Sequence, residues 1–144
     1  MIKVLVIDDS ESELEVIKAA LSASNLDYEI VSDSRLALEV AKKYQPDIIL
    51  LDLCMPNMTG HEVLKAIRTD PETSNTEVVQ ITASGNVGDF LTSVRLHIAD
   101  YILKPISIPA LIDSILKISV AKKMRKCTSE FKNKSQLLAE KYAA

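Results

Sequence analysis

The chain is poor in the features that mark several large classes of protein. Its 144 residues include two cysteines, Cys54 and Cys127, which form no CxxC pair and give no sign of a secreted disulfide scaffold. The expectation is a cytoplasmic chain with free thiols. No apolar run approaches the roughly 20 residues that a membrane-spanning helix needs. The opening stretch, MIKVLVIDDS, lacks the basic region and apolar core of a signal peptide. Net charge is −3 at pH 7 with no basic footprint, so neither nucleic acid nor a membrane is an expected direct partner. Internal repeats and low-complexity segments are also missing. What remains is 47% hydrophobic and 26% charged, the balance of an ordinary globular protein. The length suits one domain with a sizeable core.

Short apolar runs alternate with longer amphipathic ones. Ile2 to Ile7, Tyr28 to Val31, Ile48 to Leu51, Val78 to Ile81 and Tyr101 to Leu103 read as strands. The third is wholly apolar, as in a parallel sheet covered on both faces. Ser10 to about Ala23 reads as a helix with Leu14, Ile17 and Leu21 on one stripe, opened by a Ser10-x-x-Glu13 capping box. Further helices are predicted over Ser34 to Tyr44, with Leu36, Val40 and Ala41 inward, around Glu62 to Arg68, over Asp89 to Leu96, and from Pro109 onward, with Leu111, Ile112, Ile115 and Leu116 on one side. Five strands alternating with five helices imply an α/β fold with a parallel sheet. Beyond it, Leu116, Val120, Met124, Cys127 and Phe131 step by helical intervals without Gly or Pro, which predicts a helical extension. Gly60 is assigned to a turn, and His61 and His97 to surface or cap positions.

One acid stands out. Asp52 ends the apolar run DIILLDL, and a buried carboxylate is costly unless it is paired, protonated or bound to a metal. In open α/β sheets, ligands bind outside the carboxyl ends of the strands. Those ends carry Asp8 and Asp9 after the first strand, Asp52 and then Cys54 after the third, Thr82 and Ser84 after the fourth, and Lys104 at the fifth. Three carboxylates brought together repel by roughly 4 kcal/mol per pair at about 4 Å and an effective dielectric of 20. A proton or a cation relieves this. The oxygen-only donor set suits Mg²⁺, with Mn²⁺ as a substitute, and Lys104 adds a second positive charge. A carboxylate held beside two cations is a nucleophile for an electrophile with negative oxygens. A phosphoryl group fits, because its transfer depends mostly on positioning and charge neutralisation. Thr82 could then donate to a phosphoryl oxygen, and the product would be an aspartyl phosphate.

These segments, VIDDS, LLDLCMPNMTG, ITAS and DYILKP, resemble the receiver domain of two-component response regulators over about Ile2 to Ile118. The resemblance implies a flavodoxin-like sheet in the order 2-1-3-4-5 with helices on both faces. It divides the chain into a receiver domain, 1–118, and a helical extension, 119–144, serving as linker or dimerisation helix. It implies Asp52 as phosphoacceptor, and Asp8, Asp9, Asp52 and the backbone carbonyl of Cys54 as Mg²⁺ ligands. Thr82 would be the switch hydroxyl, Tyr101 the switch aromatic, and Lys104 the phosphoryl contact, with a cis bond to Pro105. The donor would be a sensor histidine kinase, a phosphotransfer protein or a small phosphodonor. Output would go to a partner protein, with a homodimer possible through the fourth helix, fifth strand and fifth helix, or through the C-terminal helix. About 26 residues after the receiver are too few for a catalytic or DNA-binding domain.

The sequence departs from the family at three places. Cys54 stands where Asn or Met is commoner and, with Ser84, borders the path of a water attacking the aspartyl phosphate. His97 stands where a Gly is expected at a helix end, in a left-handed conformation unfavourable to other residues. Two rival readings remain. A haloacid-dehalogenase-like phosphatase also uses a strand-end Asp and Mg²⁺, but needs a second Asp two residues on, where this chain has Cys54. A non-phosphorylated interaction module would not need Asp8, Asp9, Asp52, Thr82 and Lys104 together.

Overall fold

The structure is a computed structural model that describes residues 1–143. The elements follow in the order β1 (Lys3–Ile7), α1 (Glu11–Ala23), β2 (Asp27–Val31), a 3-10 turn (Ser34–Leu36), α2 (Ala37–Tyr44), β3 (Ile48–Asp52), α3 (Gly60–Thr69), β4 (Glu77–Thr82), α4 (Val87–Arg95), β5 (Asp100–Leu103) and α5 (Ile108–Tyr142). All strand pairs are parallel and the sheet order is β2-β1-β3-β4-β5, as the resemblance implied.

The two-residue period of a strand sends alternate side chains to opposite faces. Val4, Val6, Ile48, Leu50, Val79 and Ile81 pack with Leu14, Ile17 and Leu21 of α1 and Leu111 and Ile115 of α5. Leu5, Ile7, Ile49, Leu51 and Val78 face the other way, onto Ala37 and Ala41 of α2 and Val63, Leu64 and Ile67 of α3. Every residue of β3 is buried, which is why that run carries no alternation of polar and apolar residues.

Three local expectations are corrected. Leu36 is exposed, because the segment before α2 is a 3-10 turn whose first residue, Ser34, is the buried one. Leu116 is also exposed; the inward face of α5 is Leu111, Ser114, Ile115 and Ser119. His61 is not a free surface residue, since its Nε2 lies 3.0 Å from Ser93 Oγ and 3.2 Å from the Asp89 carbonyl, joining α3 to α4. His97 does take the left-handed conformation, with φ 59°.

The predicted extension is helical and continuous with α5, which has no break at residues 118–119 and runs to Tyr142. Residue 144 of the expected extension lies outside the described residues. From Val120 to Ala143 every residue is exposed. Lys122–Asp47 at 3.3 Å and Arg125–Glu77 at 2.6 Å tie the start of this stretch to the sheet's amino-terminal edge. Among the described residues, no helix is long and apolar enough to cross a membrane.

Arg68 closes the end opposite the acid-bearing loops. Its guanidinium donates to the carbonyls of Leu96, Ser74, Thr76 and His97 at 2.7–3.0 Å, joining the ends of α3 and α4 to the polar loop between α3 and β4. Truncation leaves these acceptors without their donor. We expect Arg68→Ala to cost about 2–4 kcal/mol in urea unfolding; a loss below about 0.5 kcal/mol would mean water replaces the guanidinium freely.

Candidate functional site

The strand order reverses between β1 and β3, which leaves a crevice at their carboxyl ends. The register fills it. Ile7 is level with Leu51 and Asp52 with Ile81, so Asp8 and Asp52 leave neighbouring strands side by side. Backbone bonds continue the ladder past the strand ends: Asp8 N donates to Val31 O, Leu53 N to Ile81 O, and Lys104 N to Thr82 O. Asp8, Asp52 and Thr82 are therefore fixed by backbone pairing, and all are at most 3% exposed.

The charged groups meet there. Lys104 Nζ donates to Asp52 Oδ1 at 3.1 Å and to Glu13 Oε2 at 2.5 Å. Carboxylate oxygens of Asp8, Glu13 and Asp52 lie within 4.8 Å of one another. Asp8 and Asp52 are at the edge where their strand-end positions put them, whereas Glu13 was expected in a capping box. That box does not form. Ser10 N, the donor Glu13 would have accepted from, is bonded to Asp8 Oδ1 at 2.9 Å, and the Ser10 side chain makes no cap bond. Glu13 is thus released toward Lys104. The three-residue spacing from Ser10 is misleading here, because Asp8, two residues before Ser10, takes the same N–H. Asp9 is exposed and lies outside the group of three acids. Cys54 is exposed, and its backbone N–H lies 3.4 Å from Asp52 Oδ1.

The electrostatics record a shortage of positive charge. Burial, reinforced by a hydrogen bond with Glu13 and by the Asp52 charge, pushes Asp8 up to about 7. Burial also raises Asp52, against the opposing pull of Lys104. Glu13 is lowered: burial opposes this, but bonds from Asp8 and Lys104 outweigh it. Burial works against the Lys104 ammonium too, yet Glu13 and Asp52 hold its pKa above the ordinary value. Three acids against one ammonium, with oxygen donors alone, fit a hard divalent cation such as Mg²⁺.

Around this centre the loops are pinned. Ser34 Oγ donates to Pro56 O and accepts from Met58 N, holding the loop after β3. Gly60 starts α3 against the end of β3, donating its N–H to Leu53 O at 2.9 Å. A Cβ on Gly60 would run into the carbonyl oxygen of Asp52 and the Cα of Leu53. Close approach rather than a turn conformation explains this glycine; among the described residues no glycine has positive φ. Thr82 Oγ1 accepts from Ser84 N at 3.0 Å, and Ser84 Oγ donates to Asp89 at 3.0 Å. Tyr101 is half-buried, donates its hydroxyl to Ser84 O at 3.1 Å and meets Phe90 edge-on at 5.2 Å. The Lys104–Pro105 bond is cis.

A five-stranded 2-1-3-4-5 sheet with strand-end acids and a lysine at its switch point defines a class of regulatory α/β domain. Residues 4–116 match the response regulator receiver domain, and the chain belongs to that family. Response regulator PleD of Caulobacter vibrioides is 36% identical over 104 residues, which is 72% of this chain and 23% of PleD. DNA-binding response regulator MtrA of Mycobacterium leprae is 32% identical over 103 residues, 72% of this chain and 44% of MtrA. The chain therefore spans less than half the length of these relatives. Chemotaxis protein CheY4 of Vibrio cholerae superposes with TM-score 0.77 at 28% identity, covering 82% of this chain and 98% of CheY4. A response regulator receiver domain protein from Clostridium thermocellum gives TM-score 0.79 at 25% identity, covering 86% and 98%.

The raised Asp8 gives folding a pH dependence. The fold favours its protonated form, so the stabilisation is complete below the ordinary value of 3.8 and is lost as pH rises through about 7. We expect the metal-free protein to unfold at lower urea concentration at pH 8 than at pH 6. Asp8→Asn should remove most of that difference and stabilise the pH 8 protein by about 1–3 kcal/mol. Urea unfolding in EDTA at the two pH values checks this; an Asp8→Asn protein less stable than the wild type at pH 8 contradicts it.

Proposed function

We propose that this chain is a phosphorylation-activated receiver in a two-component signal transduction system, accepting a phosphoryl group on Asp52. The observation that carries the reading is the 3.1 Å contact between the Lys104 ammonium and the buried, strand-end carboxylate of Asp52. An Asp52 oxygen attacks phosphorus in line. The new P–O bond forms as the donor's P–N bond breaks, and the leaving imidazole of a kinase or phosphotransfer histidine carries its electron pair away. Asp8, Asp9, Asp52 and the backbone carbonyl of Cys54 would hold Mg²⁺, or Mn²⁺ in its place, which when bound neutralises charge on the phosphoryl oxygens. Lys104 orients and balances the phosphoryl group from the other side.

The response runs through the fourth strand. Thr82 is the switch hydroxyl, and Tyr101 reads its position through Ser84. The surface these residues border carries exposed Val87, Phe90, Leu91, Val94 and Leu103. We assign it as the docking face for a downstream protein or a second copy of the chain, with the exposed stripe of α5 as a further dimer contact. An open cleft of about 600 Å³ lined by Glu13, Val16, Ala83, Lys104, Pro105 and Ile106 supplies an apolar approach for the donor protein. We place the protein in the cytoplasm and read residues 119–144 as an extension of the 1–118 receiver. The chain acts as a signalling phosphoacceptor with self-phosphotransfer and autodephosphorylation only. A phosphatase would need a carboxyl group where Cys54 stands, so nothing favours turnover of outside esters.

Incubation with acetyl phosphate or phosphoramidate and Mg²⁺ should add one phosphoryl group by intact mass. Asp52→Asn, or EDTA, should abolish it. Phosphorylation should raise the sedimentation coefficient if a second copy docks. No adduct with any donor, or sustained phosphate release from small esters without an adduct, would overturn the reading.

A further inference from the structure

Glu13 occupies a position that the phosphoacceptor reading does not use. It lies on the first turn of α1, yet its carboxylate sits closer to Lys104 than that of Asp52, at 2.5 Å against 3.1 Å. The Lys104 side chain is 15% exposed, so the ammonium has little water to fall back on. Two further features hold Glu13 there. Its partner in a capping box, Ser10 N, is already committed to Asp8 Oδ1, and its carboxylate lies within 4.8 Å of those of Asp8 and Asp52. One ammonium is thus divided between the strand-end acid and an acid from the neighbouring helix.

That division has a consequence once an anion arrives. A phosphoryl group on Asp52 needs Lys104 as its counter-charge. Glu13 competes for the same three N–H donors and places a negative charge near the incoming oxygens. Like charges at such short range repel, which opposes transfer unless Lys104 is shared or Glu13 moves. We propose that Glu13 is a positioning residue that restrains Lys104 and so acts as a built-in brake on phosphorylation of Asp52, while adding its own carboxylate to the attraction for a divalent cation. The proposal rests on the phosphoacceptor reading. It gives Glu13 two effects of opposite sign: tighter metal binding and slower transfer.

The opposition makes the test specific. Wild type and Glu13→Gln are compared in two measurements: Mg²⁺ affinity of the unphosphorylated protein by calorimetry, and the rate of adduct formation from acetyl phosphate at saturating Mg²⁺. Glu13→Gln should bind Mg²⁺ about threefold to tenfold more weakly and take up the phosphoryl group about threefold to tenfold faster, each corresponding to loss of one partly exposed charge interaction. Glu13→Asp, one methylene too short to keep the Lys104 contact, should also be faster. A general loss of folding would lower both quantities and is checked by urea unfolding. An unchanged or slower rate in Glu13→Gln, with the wild type phosphorylated normally, overturns the brake and leaves the phosphoacceptor reading standing. A wild type that takes no phosphoryl group overturns both.

Discussion

The structure is organised around one shortage of charge. Three carboxylates from two neighbouring segments share a crevice with one ammonium, and two of the acids are almost fully buried. Such a cluster is tolerable only because it is incomplete. Asp8 relieves the repulsion by keeping its proton to about pH 7, and Lys104 divides itself between Glu13 and Asp52. A protonated acid and a shared lysine are both states that an arriving cation and anion would change. The same arrangement that costs folding energy in the free chain is therefore what makes the site responsive to ligands.

The sheet forces this arrangement on the chain. Parallel pairing fixes Asp8 and Asp52 by backbone bonds, so neither can swing away from the other. Gly60 lets α3 start directly against the carbonyl of Asp52, and Gln80, fully buried in β4, donates to Leu51 O at 2.9 Å just before that residue. Each device removes freedom from the end of β3. The nucleophile candidate is consequently among the least mobile groups in the site, while its partners Glu13 and Lys104 hang on longer side chains from α1 and the loop after β5. Response to a ligand falls on those flexible arms.

Much of this was legible in the sequence, for identifiable reasons. A short, partly β-branched apolar run without alternation, such as Ile48 to Leu51, fits a strand covered on both faces, and the spacing of such runs through amphipathic helices favours a parallel sheet. Residues at and just past the strand ends then share one edge, which is why the sequence alone groups Asp8, Asp52, Thr82 and Lys104. Glu13 escaped because it lies on a helix, where three-residue spacing from a serine has a common local meaning. Asp8 takes Ser10 N through a two-residue contact as local as the capping box it displaces, and the spacing does not say which wins; the contact of Glu13 with Lys104 is the tertiary part. Leu36 and Leu116 were misassigned because apolar identity at helical spacing does not say where the buried stripe stops. Gly60 was read as a turn because a glycine's signal is the same for a positive φ and for a close approach.

Of the helices packed on the sheet, α4 buries the least hydrocarbon, and it is joined directly to the site. Ser93 is the buried residue of α4, and it is polar; the helix is held by Ser93 to Gln80 and His61, by Asp89 to Ser84, by the Asn86 cap, and at its carboxyl end by Arg68 to the Leu96 and His97 carbonyls. Its apolar residues Val87, Phe90, Leu91 and Val94 face outward. Its amino-terminal end, held through exposed and half-buried hydrogen bonds rather than buried hydrocarbon, shifts at small cost, because each such bond is exchanged for one with water at a net difference of about 1 kcal/mol. Ser84 stands between: its N–H is bonded to Thr82 Oγ1, its hydroxyl to Asp89 and its carbonyl to Tyr101. If Thr82 Oγ1 turns toward a new anion, the Ser84 N–H loses its acceptor, and the strain falls on the segment that holds α4. On the phosphoacceptor reading proposed above, acids held by the sheet on one side of Thr82 and a helix start held by exposed hydrogen bonds on the other would be the two parts of a two-state switch.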